Sequence, residues 1–331
     1  MLVLGIETSC DETGAGVVKD GNRVLSDAVA SSLEFHKRYG GVVPEIATRY
    51  HLEVIDYVVK DSLRSAGKTL KDIDLVAVTQ GPGLVGALLV GISFAKSLSY
   101  SLGIPVVGVN HLWAHIYSGL IGRTKVKFPI MGLVVSGGHT SLVLCEDIGK
   151  FRLLGQTRDD AVGEAFDKVA KILGLGYPGG PAIEKAALRG DPDAVRFTYP
   201  YMGDDSYDFS FSGMKTAVLY HVKGRKLTAA MKADIAASFQ KAAVGAIVEK
   251  AVSACAEKKI GCLVVGGGVS ANRILRDKLT GAGERNGIEV IFPPMRLSLD
   301  NGAMIASTGY LLFKNGKRSG LSLTAEPDLG I

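Results

Sequence analysis

Apolar and polar positions alternate in short blocks along the first third of the chain, and the period changes at glycine and proline. Leu2–Thr8, Gly14–Lys19 and Arg23–Ala30 are runs of β-branched and small residues separated by tight turns, which predicts three strands. From Pro44 to Arg64 the period lengthens to that of a helix, with Pro44 a favourable first helical residue. A strand at Leu75–Thr79, a Gly81-Pro82-Gly83 turn, a helix at Val85–Leu102 and a strand at Ile104–Val109 complete the block. The order then starts again. Pro129–Val135, Thr140–Cys145 and Phe151–Gln156 predict three more strands, with helices over Asp160–Leu173, Pro181–Leu188, Ser212–His221 and Thr228–Lys258. Strand Cys262–Val265, helix Ala271–Ala282, strand Glu289–Phe292 and helix Asn301–Phe313 close the pattern. The unit βββαβαβ thus occurs twice, its second copy carrying helical insertions. That predicts duplicated α/β domains facing each other across a cleft. Asp191–Asp208, rich in Asp, Pro, Tyr and Gly, reads as a long ordered loop.

Composition narrows the class. The 331 residues suffice for two domains, and 47% hydrophobic with 21% charged residues is a globular balance. Lys96, several serines, Gly103 and Pro105 interrupt the most apolar stretch, Leu84–Val109, which reads as helix-turn-strand and not as a membrane span. Glu7 lies inside the first apolar run and no basic segment precedes it, so a signal peptide is not expected. Cys10, Cys145, Cys255 and Cys262 show neither C-x-x-C spacing nor a disulfide framework, which points to a reducing cytosol. A net charge of +5 permits a nucleic-acid partner without demonstrating one, and no basic tail or run of Lys and Arg strengthens the case.

His111-Leu112-Trp113-Ala114-His115 follows a buried strand, and Asn110 is a natural N-cap, so both histidines fall in the first turns of a helix. Four residues apart, their imidazoles share one face and can share one metal ion. Two histidines hydrogen-bonded in a crevice fit the spacing equally well. Their place beyond the carboxyl end of a strand favours the metal. A zinc-protease helix needs Glu beside the first histidine, and Leu112 stands there. Asp300, before the helix that begins at Asn301, is either an N-cap or the third ligand of such a set. Three glycine loops accompany this centre. Ser136-Gly137-Gly138 follows a strand, Gly266-Gly267-Gly268 lies between a strand and Asn272, and Gly174–Pro181 precedes a helix. Each alone is an ordinary turn, but three in one duplicated fold point to a nucleotide-shaped ligand. Asp167, with Glu164 and Lys168 nearby, reads as a solvated helix face on pattern alone.

The ordered motifs Ile6–Thr13, Val43–Ala47, Gln80–Leu84, Val135–Thr140, Asp208–Gly213 and Gly266–Asn272 resemble those of the TsaD family, the tRNA N6-adenosine threonylcarbamoyltransferases formerly called glycoproteases. The likeness runs from residue 1 to about Ala306, and the Cys10–Thr13 turn and His139 resemble the bacterial branch. The resemblance implies a duplicated actin-like, sugar-kinase-like fold with an interdomain cleft. Its domains would be 1–109 plus 303–331, and 110–302 with helical insertions. It implies transfer of threonylcarbamoyl from threonylcarbamoyl-AMP to N6 of adenosine 37, in the anticodon loop of tRNAs reading codons that begin with A. By the same likeness His111, His115 and Asp300 would hold one divalent ion, Fe2+ or Zn2+. Val134, Val135, Ser136, Gly137 and Gly138 would cradle the phosphate and acyl group, and Asp167, Gly180, Glu184 and Asn272 would contact the nucleoside. A TsaB-like paralogue, a TsaE-like ATPase and a separate adenylate synthase would be partners, in the cytoplasm, with no membrane. Two departures stand out. Val134 replaces the tyrosine ligand of archaeal members, and Trp113-Ala114 replaces the Glu-Gly pair usual between the histidines of bacterial ones.

The chemistry needs an activated carbonyl, because the N6 lone pair is delocalised into the adenine ring. A cation and glycine-loop N–H groups can stabilise the oxyanion, each such donor being worth roughly 10²–10³ in rate. N6 also loses a proton, for which His139, Asp11 and Glu12 are the candidate bases. The rival readings are an ATP-dependent small-molecule kinase on the same fold and a non-catalytic nucleotide-binding scaffold.

Overall fold

The computed structural model describes residues 1–123, 126–199, 203 and 206–331, so residues 200–202, 204 and 205 of the long loop at 191–208 lie outside the described residues. The chain divides into two units. The first is Met1–Phe128, Asp147–Lys150 and Pro293–Ile331, and the second is Pro129–Glu146 and Phe151–Phe292.

The first unit is built from β1 (Leu2–Glu7), β2 (Glu12–Lys19), β3 (Arg23–Ser31), the single turn α1 (Leu33–His36), α2 (Pro44–Ser65), β4 (Leu75–Gly81), α3 (Val85–Leu102), β5 (Val106–Asn110) and α4 (His111–Ser118). The second holds β6 (Ile130–Val135), β7 (Thr140–Asp147), β8 (Lys150–Gln156), α5 (Val162–Leu173), α6 (Gly179–Ala187), α7 (Ser212–Val222), α8 (Ala229–Glu257), β9 (Cys262–Gly266), α9 (Arg273–Asn286) and β10 (Glu289–Ile291). The chain then returns to the first unit with α10 (Gly302–Lys314).

The two sheets have the same plan. The first runs β3-β2-β1-β4-β5, and the second, from its far edge, β8-β7-β6-β9-β10. In each, the central strand pairs antiparallel with the strand after it and parallel with the strand on its other side, β1 with β4 and β6 with β9. The expected duplication is therefore present as topology.

Strand alternation decides which helices cover which face. Leu4, Ile6, Val76 and Val78 belong to a core with Ile55, Val59 and Ile92 of α2 and α3. Val3, Leu75 and Ala77 belong to the opposite core, with Ala114 of α4 and Ala303–Ala306 of α10. α3 packs Ala87, Leu88, Ile92 and Ala95 into the first unit, while Val85, Leu89 and Tyr100 stay exposed; it is long and apolar enough to cross a membrane by length and composition alone.

Glycine sets how closely α10 lies on the sheet. A Cβ on Gly5 would stand 2.1 Å from the Gly302 carbonyl oxygen, and one on Gly302 would stand 2.1 Å from the Gly16 nitrogen. Backbone thus rests on backbone, and the residues just before α10 are held at the ends of β1 and β2.

Two boundaries differ from the sequence reading. The expected division at 109/110 and 302/303 shifts to follow Phe128 and to precede Pro293, because α4 packs on α10 and Leu297 joins the core that α10 completes. The helix expected from Ala271 begins at Arg273. Gly267, at φ +91°, turns the chain into a 3-10 turn, and Asn272 Oδ1 accepts the Leu275 N–H as the N-cap.

Candidate metal centre and glycine loops

Asn110 starts α4 as expected: its side-chain oxygen accepts the N–H groups of Leu112 and Trp113 at 2.9 and 3.3 Å. A cap of this kind stabilises a helix by about 1 kcal/mol, and here it also fixes the first turn, which carries both histidines. Their rings stand 4.5 Å apart between centroids and nearly perpendicular. His111 is 6% exposed and His115 is fully buried. Nε2 of each faces the same oxygen, Asp300 Oδ1, at 3.6 Å for His111 and 3.0 Å for His115. The three expected ligands are therefore brought together, each offering an atom within 4.8 Å of the others.

The fit to a cation rests on His115. Neither of its ring nitrogens has a hydrogen-bond partner, although both are buried, so the short approach of Nε2 to Asp300 lacks hydrogen-bond direction. Buried polar atoms are nearly always satisfied. Two imidazole nitrogens and a carboxylate oxygen converging on one point make a donor set suited to a borderline divalent ion.

Behind His111 stands Glu7, a fully buried carboxylate at the end of β1. Its Oε2 lies 3.0 Å from His111 Nδ1 and accepts the Thr79 hydroxyl at 2.7 Å, while Oε1 accepts the Ser9 N–H. Burial would raise the Glu7 carboxyl, but the His111 charge and hydrogen bond outweigh it and hold the group below its ordinary value. Burial likewise opposes the charge on His111, yet the Glu7 and Asp300 carboxylates push it up to about 9. An Nδ1–H donated to Glu7 leaves the Nε2 lone pair facing Asp300, the tautomer a metal ligand needs.

The turn after β1 is fixed by His51 of α2. Its Nε2–H donates to the Cys10 carbonyl, and its Nδ1 accepts from the Thr13 hydroxyl at 2.7 Å. Burial lowers the His51 pKa and keeps the ring neutral in that role. Asp11 and Glu12, two of the candidate bases, follow Cys10 in this turn. Burial, then the charges of Asp11 and Asp300, raise the Glu12 carboxyl far above the usual range. Burial and the same acids also raise Cys10, which disfavours its thiolate form. Asp27 of β3 completes the support, its Oδ1 accepting the Ala303 N–H at 3.0 Å at the start of α10.

Pattern did not single out Glu7, His51 or Asp27 as part of a site. The available signals were a carboxylate ending an otherwise apolar strand, and a histidine on the buried Ala47–Ile55 stripe of α2.

In the second unit, Val134 and Val135 end β6 fully buried, and the turn that follows closes through Ser136 N–H to the His139 carbonyl at 2.8 Å. Gly137 and Gly138 are exposed, with nothing within 4 Å of where a Cβ would stand. Gly163 of α5 packs on this turn, its N–H donating to the Ser136 carbonyl at 3.2 Å. A Cβ on Gly267 would stand 2.4 Å from the Val135 carbonyl oxygen, which joins the second glycine loop to the first. The nucleoside candidates gather at helix N-termini. Asp167 accepts the Gly179 N–H at 2.6 Å beside Gly180, and Glu184 accepts the Arg273 N–H at 2.9 Å. Asn272 is 7% exposed, and besides capping α9 it donates to Gln240 at 2.9 Å. One amide hydrogen and one oxygen lone pair of Asn272 remain for a ligand.

A duplicated α/β fold with a His/His/Asp set at one sheet and linked glycine turns at the other is an actin- and sugar-kinase-like fold with a candidate metal centre. Solved structures share the fold. A full-length HypF in its phosphate- and nucleotide-bound form aligns at TM-score 0.64 and 17% identity, over 96% of this chain and 47% of that one. The ROK hexokinase of Thermus thermophilus aligns at TM-score 0.51 and 16% identity, over 96% of this chain and all of that one. The model of the TsaD family, tRNA N6-adenosine threonylcarbamoyltransferase, matches residues 23–307. A relative of that name from Symbiobacterium thermophilum is 52% identical over 100% of this chain and 97% of its own length. Another, from Clostridium botulinum strain 657, is 49% identical over 99% and 97% respectively. The chain belongs to the tRNA N6-adenosine threonylcarbamoyltransferase family and is a transferase. That membership favours neither the kinase nor the scaffold.

Proposed function

We propose that this transferase moves the threonylcarbamoyl group of threonylcarbamoyl-AMP onto N6 of adenosine 37 in tRNAs that read codons beginning with A. One observation carries the reading: two buried imidazoles converge on a single carboxylate in a chain 52% identical, over its full length, to a relative named for this transfer.

His111, His115 and Asp300 hold one divalent ion, iron or zinc. When bound, it supplies Lewis-acid stabilisation for charge developing on the carbonyl oxygen. The protein's own groups do the rest. The exposed backbone of Gly137 and Gly138, with Ser136, Val134 and Val135 behind it, takes the phosphate and acyl oxygens. Asp167, Gly180, Glu184 and Asn272 take the nucleoside. N6 attacks the carbamoyl carbon, the bond from that carbon to the phosphate oxygen breaks, and AMP leaves with the electron pair. The N6 proton goes to His139 or Asp11 in preference to Glu12, whose raised carboxyl already holds a proton at neutral pH. An anticodon-loop adenine is single-stranded, so presenting it costs less than flipping a base from a duplex. A TsaB-like paralogue, a TsaE-like ATPase and an adenylate synthase complete the cytoplasmic system.

The test is reconstitution with metal, tRNA, adenylate and the partner proteins, followed by mass spectrometry of tRNA nucleosides. Threonylcarbamoyl-adenosine at position 37 is expected. Its absence, with cleavage of a glycoprotein by the same preparation, overturns the reading.

A further inference from the structure

The chain exceeds neutrality by five charges, and one stretch accounts for the whole excess. Phe209–Ala233 contains Lys215, Lys223, Arg225, Lys226 and Lys232 and no Asp or Glu. Gly224 divides the core of this cluster, Lys223-Gly224-Arg225-Lys226, so no unbroken basic run marks it in the sequence.

The fold puts four of these charges, all but Lys215, towards the α7–α8 turn and the C-terminal end of α5 in the second unit. Lys223 ends α7, and Arg225 and Lys226 lie in the turn to α8, all three exposed. Lys232, in the first turn of α8, reaches the C-terminus of α5, its Nζ 3.5 Å from where a Cβ on Gly174 would stand. Lys171, exposed, sits in the last turn of that same helix. Among the described residues none of Lys171, Lys223, Arg225, Lys226 or Lys232 forms an ion pair, whereas Lys215 is paired with Asp160. Tyr220, 68% exposed, stands three residues before Lys223 on the same face of α7. Arg225 Nη1 also lies 3.5 Å from His221 Nε2.

Helix macrodipoles explain part of this, since cations at the last turns of α5 and α7 are favourable there. They do not explain Arg225 and Lys226, which neither end a helix nor meet a carboxylate. Five unpaired cations beside an exposed tyrosine match the chemistry of a nucleic-acid backbone track with a base-stacking platform. An acidic protein partner would account for the charge but not for the tyrosine. The opposite end of α5 packs on the Ser136 turn, so twelve helical residues, about 18 Å, separate the track from that turn, while the Gly174–Pro181 loop begins beside Lys232.

We infer that the α7–α8 turn, with Lys171 and Lys232, is the surface on which the sugar-phosphate backbone of the tRNA docks. The inference rests on the tRNA-modifying function proposed above and assigns that substrate its docking surface on this chain.

The experiment measures tRNA binding by the full chain in its assembled complex over a series of KCl concentrations. The triple variant Lys223→Gln/Arg225→Gln/Lys226→Gln is compared with wild type and with the equally charged control Lys19→Gln/Lys60→Gln/Lys71→Gln. Removing one cation from a bound phosphate lowers the slope of log affinity against log salt by about 0.7 to 0.9. A decrease of about 2 to 3 is expected for the triple variant, with at least tenfold weaker binding at low salt and no such change for the control. Tyr220→Ala adds a loss that salt does not modulate. An unchanged slope, or an equal change in the control, overturns the inference. So does loss of binding to phosphatidylserine vesicles with tRNA binding intact, which assigns the surface to a membrane. Failure of wild type to modify tRNA sinks the functional reading instead, and the two failures are read in separate assays.

Discussion

Glu7 and His111 meet across 104 residues of sequence: the glutamate Oε2 lies 3.0 Å from imidazole Nδ1, inside a fully buried contact. The pair decides which ring nitrogen faces Asp300, and it couples metal binding to pH. In the metal-free chain His111 is raised to about 9, so below that pH a cation must displace one proton from it. Apparent metal affinity should climb about tenfold per pH unit up to about 9 and then level off. Stability of the metal-free chain runs the other way. A histidine raised above its unfolded value of about 6.5 contributes fully below that pH, and its contribution is lost as pH rises through 9. Metal titrations and melting curves at matched pH check both signs. In Glu7→Gln the break in affinity should move to lower pH, with binding about 10- to 100-fold weaker at pH 9.

Asp300 separates a metal centre from a histidine pair. Asp300→Ala should weaken metal binding at least 100-fold and abolish the modified nucleoside, while melting of the metal-free protein stays near wild type. Leu112→Glu completes a zinc-protease motif on paper. It should give no peptidase activity when metal content and glycoprotein cleavage are measured on one preparation.

The glycine turn of the second unit allows fold and binding to be told apart. Nothing occupies the space beside Gly137, so Gly137→Val should melt within about 2 °C of wild type. It should still weaken adenylate binding at least tenfold by calorimetry, because the added side chain enters the space assigned to the anion. Asn272→Ala should behave differently, losing about 1 kcal/mol of stability with the cap as well as affinity. Wild-type affinity in Gly137→Val would remove this turn from the site.

Asp27 yields a prediction of opposite sign to the usual surface acid. Burial raises its carboxyl to about 6, against the N–H groups of Ala303 and Gly302 and the charge of Arg296, which lower it. With a folded pKa above the unfolded one, it costs stability as pH rises from about 4 to 6. Asp27→Asn keeps an oxygen for Ala303 and removes the buried charge. Its melting temperature should exceed wild type above pH 6, and the advantage should vanish below about pH 4. A lower melting temperature at pH 7 would show that the ionised carboxylate is needed to hold α10.

Much of this architecture is legible in local pattern. The period of apolar residues gave the two copies of the fold, and Asn110 with a four-residue spacing gave the histidine face. The partners of those histidines were harder to read. Asp300 is 185 residues beyond His115, and as a sequence feature it is indistinguishable from a helix cap. Nothing near Glu7 marks it as facing His111, since only strand order brings them together. Local chemistry also misled at Ala271, where a positive φ at Gly267 delays α9 by two residues, to Arg273. The domain boundaries were set by packing, because Leu297 and α4 follow α10, not the strand count.

The resting of α10 on β1 and β2 also fixes an order of events during synthesis. Residues 303–306 and 312 complete the core over Val3, Leu75, Ala77 and Val107, yet they are made after the whole of the second unit. One face of the first sheet, with His111 and His115 beneath it, therefore waits uncovered while the chain between is made. The second unit's core, all of it from residues 131–288, can close in that interval. Emergence of α10 thus seals this face of the first unit, and Asp300 arrives just ahead of it, so the candidate ion-binding set is assembled after the second unit has been made.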